Sequence, residues 1–173
     1  MAAATSVVAT NLLFGRAQLF RITSDHIIET CVQKPYGGWS DWGTFPAPFT
    51  PSQGPGCLAV IHLYSLTQLT YRPQIFAISN DSPSVIYTCW KTSDVNEDAG
   101  WSGWTKLNDR LDFIPVSIAG GDLPDGQIPI ASPGYSVGAL WAIADSGAIW
   151  GTRKTSNDSN TAGWTPWTTD WMK

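Results

Sequence analysis

The chain has 173 residues and a net charge of −4, and only 14% of its residues are charged. An acidic chain of this kind lacks the basic patch that nucleic acid or an anionic membrane requires. No apolar run approaches the roughly 18 residues of a membrane-spanning helix. The first residues lack the basic and apolar regions of a secretory signal. We therefore expect a cytoplasmic protein that does not insert into membranes, with release by a non-classical route as a further option.

In chain order, short β-rich runs alternate with clusters of Gly, Pro, Asn, Asp and Ser, which predicts many short strands. A first group of strands is predicted at 6–10, 18–23, 26–33 and 39–45. A second group is predicted at 57–62, 74–79, 85–90 and 101–107. A third group is predicted at 127–131, 139–144, 148–152 and 164–169. The connecting segments 46–56 and 108–126 are rich in Pro, Gly and Asp, and they predict loops.

The last predicted strand of each group carries the same motif, Gly-Trp-(Ser/Thr)-x-Trp, beginning at Gly38, Gly100 and Gly163. Such a motif at nearly constant spacing indicates a structural repeat. Repeated groups of four antiparallel strands are the blades of a β-propeller. The sequence therefore predicts an all-β propeller domain over 1–173, with three four-stranded blades at about 5–50, 55–110 and 125–173. Because residues i and i+3 of a strand point to opposite faces, each tryptophan pair should flank its sheet from both sides.

Catalytic chemistry has little support in the sequence. The two histidines, His26 and His62, lie at non-equivalent positions of their repeats, and no hydrolase or phosphate-binding motif is present. Cysteine and histidine do not occur at zinc spacing. The pair Asp122 and Asp125 fits a surface turn better than a calcium loop. We expect no enzyme activity, no cofactor and no metal. The odd cysteine count indicates free, packed thiols.

Binding has better support, because an indole ring offers a flat face for the C–H face of a pyranose and an N–H donor for a hydroxyl. The first tryptophans of the motif, Trp39, Trp101 and Trp164, are candidates both for ligand contact and for core between blades. The second tryptophans lie further inside the predicted strand, so core packing is favoured for them (Trp42, Trp104 and Trp167).

The order of these segments resembles a known family. A strand such as Gln74-Ile75-Phe76-Ala77, a strand ending in an aromatic residue such as Ile86-Tyr87, and then Gly100-Trp101-Ser102-Gly103-Trp104 are similar to a blade of the Photorhabdus-type, tryptophan-rich β-propeller lectins. The resemblance covers nearly the whole chain as three blades. It implies binding of fucose or other, sometimes methylated, monosaccharides in pockets between blades. The longer repeat, the larger connecting loops, and Asp41 and Pro166 within the motif depart from that family's pattern.

The leading hypothesis is therefore a multivalent lectin whose partners are glycans or glycoconjugates. A scaffold propeller for protein interactions is the alternative, and an enzyme or an accessory domain of one is the third option. If pockets lie between blades, each should join a first tryptophan to the aromatic end of a third strand. The predicted ligand-binding residues are Trp39, Trp101, Trp164, Tyr87 and Trp150. Glu29 occupies the position of Tyr87 in the first repeat and should make that pocket more polar.

Three blades cannot close into a ring, because propellers typically have four to eight. The simplest closed assembly is a homodimer of six blades in which the outer faces of the first and third blades pack together. Trp171, just past the final predicted strand, is a candidate seal for that contact.

Overall fold

A computed structural model describes residues 4–12, 15–65, 70–92, 100–107, 111–124, 136–155 and 163–170. These residues form three antiparallel sheets and no α-helix. The predicted all-β class, with three consecutive antiparallel sheets, is confirmed.

The strands follow one another around each sheet in chain order. The first sheet contains β1 (Ala4–Asn11), β2 (Ala17–Thr23), β3 (Ile28–Val32) and β4 (Gly43–Thr44). The second contains β5 (Leu58–Ser65), β6 (Thr70–Ile78), β7 (Ile86–Trp90) and β8 (Thr105–Lys106). The third contains β9 (Pro115–Pro124), β10 (Ser136–Ala144) and β11 (Ile149–Arg153). In each sheet, every strand pairs with its sequence neighbour, as in a meander.

The sheets stack face to face because alternate residues of each strand are apolar. At the first junction, between the first and second sheets, the buried core joins residues of β2 and β3 to residues of β5, β6 and β7 (Phe20, Ile22, Ile28, Leu58, Ile75, Ala77 and Cys89). At the second junction, between the second and third sheets, the core joins the opposite face of the second sheet to β9 and β10 (Ala59, Ile61, Phe76, Ile78, Ile86, Ile118, Leu140 and Ala142). The second sheet is thus covered on both faces, and the described sheets form an open row.

The first strands of the three sheets lie side by side along one edge of this row. The Ser6 hydroxyl accepts a hydrogen bond from the Leu58 backbone, 3.3 Å away. The Ile118 backbone donates to the Gly56 carbonyl at 2.7 Å. At Gly120, the backbone of β9 comes so close to β5 that an added Cβ would lie 2.3 Å from the Val60 carbonyl oxygen. Glycine is therefore needed there for close approach rather than for a special backbone angle.

The structure corrects several predicted boundaries. The segment 108–126 was predicted to be a loop, but it contains β9, so the third sheet starts earlier than the predicted repeat at 125. The predicted strand 127–131 lies outside the described residues. The predicted fourth strands are much shorter, because β4 and β8 have two residues each and the third sheet has only isolated bridges at Trp164 and Thr168.

The close approach at Gly120 gives a first test. Gly120→Ala should lower the free energy of unfolding by about 1–3 kcal/mol, because the new methyl group meets rigid backbone. Gly100→Ala is the matched control, since a Cβ at Gly100 meets nothing within 4 Å. Urea unfolding of both variants measures the difference. Equal stability of the two variants would contradict the packing of β9 on β5.

Candidate functional site

Both tryptophans of the second sheet's motif face the same junction. Trp101 lies edge-on to Phe20, with ring centroids 5.3 Å apart, and edge-on to Phe45 at 5.4 Å. Trp104 lies edge-on to Phe45 at 5.9 Å and to Phe49 at 5.3 Å. The expectation that each pair flanks its sheet from both sides is therefore wrong at this junction. The pair instead lies together against the first sheet.

The reason is a local interaction of the hydroxyl residue between the two tryptophans. The Ser102 backbone donates to the Trp90 carbonyl at 2.8 Å, and the Trp90 backbone donates to the Ser102 hydroxyl at 2.9 Å. A side-chain oxygen thus takes the place of a backbone carbonyl, and the chain leaves the strand conformation after Trp101. The alternation of faces that a strand would impose no longer applies to Trp104.

We call this reciprocal pair of hydrogen bonds the hydroxyl clamp. It also occurs in the other two sheets. In the first sheet, the Ser40 backbone donates to the Val32 carbonyl at 2.9 Å, and the Val32 backbone donates to the Ser40 hydroxyl at 3.0 Å. In the third sheet, the Thr165 backbone donates to the Arg153 carbonyl at 2.8 Å, and the Arg153 backbone donates to the Thr165 hydroxyl at 3.1 Å. The recurring Ser/Thr of the motif was the sequence signal for this clamp, and the strand interpretation overlooked it.

A groove lies between the tryptophan pair and the segment that leads from the first sheet to the second. It has a volume of about 700 Å³ and is lined by Phe45, Pro46, Ala47, Pro48, Trp101, Ser102, Gly103 and Trp104. We call it the tryptophan groove. The Trp104 indole donates to the Pro46 carbonyl at 2.9 Å, which ties one wall to the other. The walls are mostly aromatic and apolar, and a hydroxyl and backbone groups lie among them.

The second junction repeats the aromatic arrangement. Trp164 lies edge-on to Phe76, with centroids 5.5 Å apart, and Trp167 lies edge-on to Phe113 at 5.2 Å. Trp101 and Trp164 therefore occupy equivalent positions on successive sheets. Each contacts the aromatic residue of the second strand of the preceding sheet.

The aromatic ends of the third strands have partners that the sequence analysis did not include. Tyr87 stacks on Phe49, with centroids 4.1 Å apart and planes 11° apart. Trp150 stacks in the same way on Phe113 at 4.9 Å. Tyr87 is absent from the lining of the tryptophan groove, so the structure does not bring it together with Trp101 there. The signal for Phe49 and Phe113 was their similar separation from Tyr87 and Trp150 along the chain.

The predicted residues of the first sheet lie on its outer face, away from the second sheet. The Glu29 carboxylate accepts a hydrogen bond from the Arg21 guanidinium at 2.7 Å. That guanidinium lies over the Trp42 ring, 4.0 Å from its centroid. Trp39 is 43% exposed on the same sheet. This face is thus more polar than its counterparts in the second and third sheets, where Tyr87 and Trp150 replace Glu29.

A buried lysine accompanies the first tryptophan at each junction. The Lys91 ammonium lies 5.8 Å from the centroid of the Trp101 ring, and Lys154 lies 5.8 Å from that of Trp164. Both side chains are buried. Burial lowers the pKa of Lys154 to about 8, because desolvation disfavours the charged ammonium. The sequence signal was the Lys-Thr-Ser triplet that begins at both positions.

Other reactive side chains are dispersed or buried. His26 bonds the Pro51 carbonyl through Nδ1 at 2.8 Å, and His62 bonds the Thr10 hydroxyl through Nε2 at 2.8 Å. The three cysteines are free and buried, and burial raises the pKa of each thiol. Within the described ranges, no three His, Cys, Asp or Glu side chains come together as metal ligands. In those ranges there is also no helix of the length and apolarity needed to cross a membrane.

Comparison with protein-family models and with curated proteins finds no match for this chain. The function is therefore inferred from the geometry of the junctions.

The buried lysine gives a test of pH dependence. Because the folded-state pKa of Lys154 is lowered from 10.5 to about 8, the folded protein binds fewer protons than the unfolded chain between those values. The wild type should therefore gain stability relative to Lys154→Met as pH rises from about 8 to 10.5. Below pH 8 the difference between the two proteins should be constant. Urea unfolding of both proteins across this range measures it, and parallel curves throughout would contradict the burial of the ammonium.

Proposed function

We propose that the protein is a lectin, which binds a monosaccharide unit of a glycan in the tryptophan groove and performs no chemistry on it. The observation that carries the proposal is the pairing of Trp101 and Trp104 along one wall of that groove. Indole rings stack on the apolar face of a pyranose. The Trp104 N–H is bonded to the Pro46 carbonyl, so this side chain would contribute its ring surface. The volume of about 700 Å³ suits a small ligand.

The polar groups of the groove fit the same ligand class. A sugar has hydroxyls around an apolar ring face, so it needs a few hydrogen-bond partners beside a flat aromatic surface. Ser102 and the exposed backbone at Gly103 supply such partners beside the tryptophans. Fucose or a methylated monosaccharide, as the family resemblance implies, belongs to this proposal.

Several weak sites would make the protein multivalent. Trp164 and Trp167 repeat the aromatic arrangement at the second junction, which supports a second site of the same kind. Trp39 and Glu29 would serve a more polar third site, and Tyr87 and Trp150 stay among the proposed ligand-binding residues. Linked weak sites bind a multivalent surface much more tightly than any one of them does.

The proposed architecture is a β-propeller in which the three sheets are blades. Face-to-face stacking of consecutive meander sheets, with their first strands side by side, supports it. Two chains would complete a ring of six blades as a homodimer. A cytoplasmic location, with release by a non-classical route, is part of the same proposal.

A glycan array tests the binding function, and a variant that fills the groove locates it. Gly103→Leu should abolish glycan binding while leaving the melting temperature unchanged, because a Cβ at Gly103 meets nothing within 4 Å and Gly103 lines the groove. Gly100→Leu, which adds the same side chain beside the groove at an equally open position, should bind like the wild type.

Failure of the wild type to bind any glycan at high protein density would remove the lectin proposal in favour of an interaction scaffold. Binding that survives Gly103→Leu would place the sugar elsewhere.

A further inference from the structure

The outer face of the third sheet carries a cluster of apolar side chains. Trp141 lies on β10 opposite Gly151, and Ile143 pairs with Ile149 of β11. These residues point away from the second sheet, because the alternate residues Leu140 and Ala142 belong to the core of the second junction. Ile143 is 44% and Ile149 is 50% exposed.

The equivalent positions of the other two sheets are fully covered. In the first sheet they are Phe20, Ile22 and Ile28, and in the second they are Phe76, Ile78 and Ile86. All six are at most 2% exposed, because the next sheet packs on them. The outer face of the third sheet therefore carries large apolar residues at the same positions that the first and second sheets bury against their next neighbour.

The outer face of the first sheet repeats the other side of such a junction. Trp39 is the counterpart of Trp101 and Trp164, which contact Phe20 and Phe76 edge-on at 5.3 and 5.5 Å. Trp39 is 43% exposed, and Val7 on the same face is 57% exposed. An aromatic residue at the position of Phe20 and Phe76 is the natural partner of this indole, and Trp141 is the residue at that position in the third sheet.

The first sheet differs from the other two in what fills the space beside the end of its third strand. In the second sheet, Phe49 of the connecting segment stacks on Tyr87, and Ala77 lies opposite Tyr87 on the neighbouring strand. In the third sheet, Phe113 stacks on Trp150, and Ala142 lies opposite Trp150. In the first sheet, Arg21 takes the alanine position and pairs with Glu29. The Arg21 side chain, 11% exposed, lies over the Trp42 ring and fills this space in the first sheet.

From these observations we infer that the outer face of the third sheet docks on the outer face of the first sheet in a second copy of this chain. Trp39 of one copy lies edge-on to Trp141 of the other. The contact is head-to-tail, because the two surfaces differ, and two such contacts close a ring of two chains. This inference rests on the proposed propeller arrangement and is independent of the proposed sugar binding.

The test uses two variants, each of which blocks one of the two surfaces. The double variant Ile143→Glu, Ile149→Glu blocks the third sheet, and Trp39→Glu blocks the first. Light scattering should give twice the chain mass of 18.8 kDa for the wild type and the single chain mass for each variant alone. A mixture of the two variants should form a heterodimer, because each supplies the surface that the other lacks. Ile27→Glu, at an exposed turn residue of the first sheet, is the control and should stay dimeric.

Other outcomes would overturn the inference. A monomeric wild type excludes the contact. A Trp39→Glu variant that stays dimeric indicates that two third sheets pack on each other instead. Variants that are monomeric alone and do not combine on mixing exclude the head-to-tail arrangement, provided that near-ultraviolet circular dichroism shows both to be folded. Glycan binding is measured separately on the wild type, so a monomeric wild type that binds glycans contradicts this inference and leaves the proposed sugar binding intact.

Discussion

The edge-on contact between a tryptophan of one sheet and an aromatic residue of the preceding sheet is the interaction on which the rest of the structure depends. Trp101 on Phe20 and Trp164 on Phe76 have nearly the same geometry, with centroids 5.3 and 5.5 Å apart and planes 84° and 87° apart. Such pairs contribute about 0.5–1.5 kcal/mol beyond the burial of their surface. Their preferred edge-on geometry also restricts the relative orientation of the two sheets. A junction of aliphatic side chains alone would restrict that orientation less.

The hydroxyl clamp makes this contact available and creates the groove beside it. Because the Ser102 side chain replaces a backbone carbonyl, the chain turns away from the strand and both tryptophans reach the same junction. The residue after the hydroxyl, Gly103, then lies at the tryptophan groove. The corresponding residue is Asp41 in the first motif and Pro166 in the third. A common framework therefore presents a different side chain in each repeat, which would allow related but unequal ligand sites.

Much of the fold could be predicted from the sequence because its signals are local. Alternating apolar residues in strands such as β2 and β6 identify both the strand and the faces that pack on neighbours. The strand β9 was missed because its ends are prolines and its middle contains Gly120 and Gly121, a composition that predicts a loop. Its pairing with β10 and its close approach to Val60 make it a strand, and both are tertiary effects.

The candidate site could be predicted only in part, for a similar reason. The tryptophans were identified from their spacing, but their directions depend on the hydroxyl clamp, which the strand pattern does not reveal. Phe49 and Phe113 lie in connecting segments whose composition predicts loops, so their stacking on Tyr87 and Trp150 depends on the packing of the whole junction. The ion pair of Arg21 and Glu29 follows from register alone, since the two residues are opposite each other on β2 and β3.

A double-mutant cycle between Phe20 and Trp101 tests the central claim most directly. The variants Phe20→Leu and Trp101→Leu, singly and together, are compared by urea unfolding, with Phe20→Leu and Trp164→Leu as the control pair from different junctions. We expect a coupling free energy of about 0.5–1.5 kcal/mol for the first pair, and no more than about 0.5 kcal/mol for the control. Equal coupling in the two cycles would contradict the account that tryptophan contacts hold each sheet to the one before it.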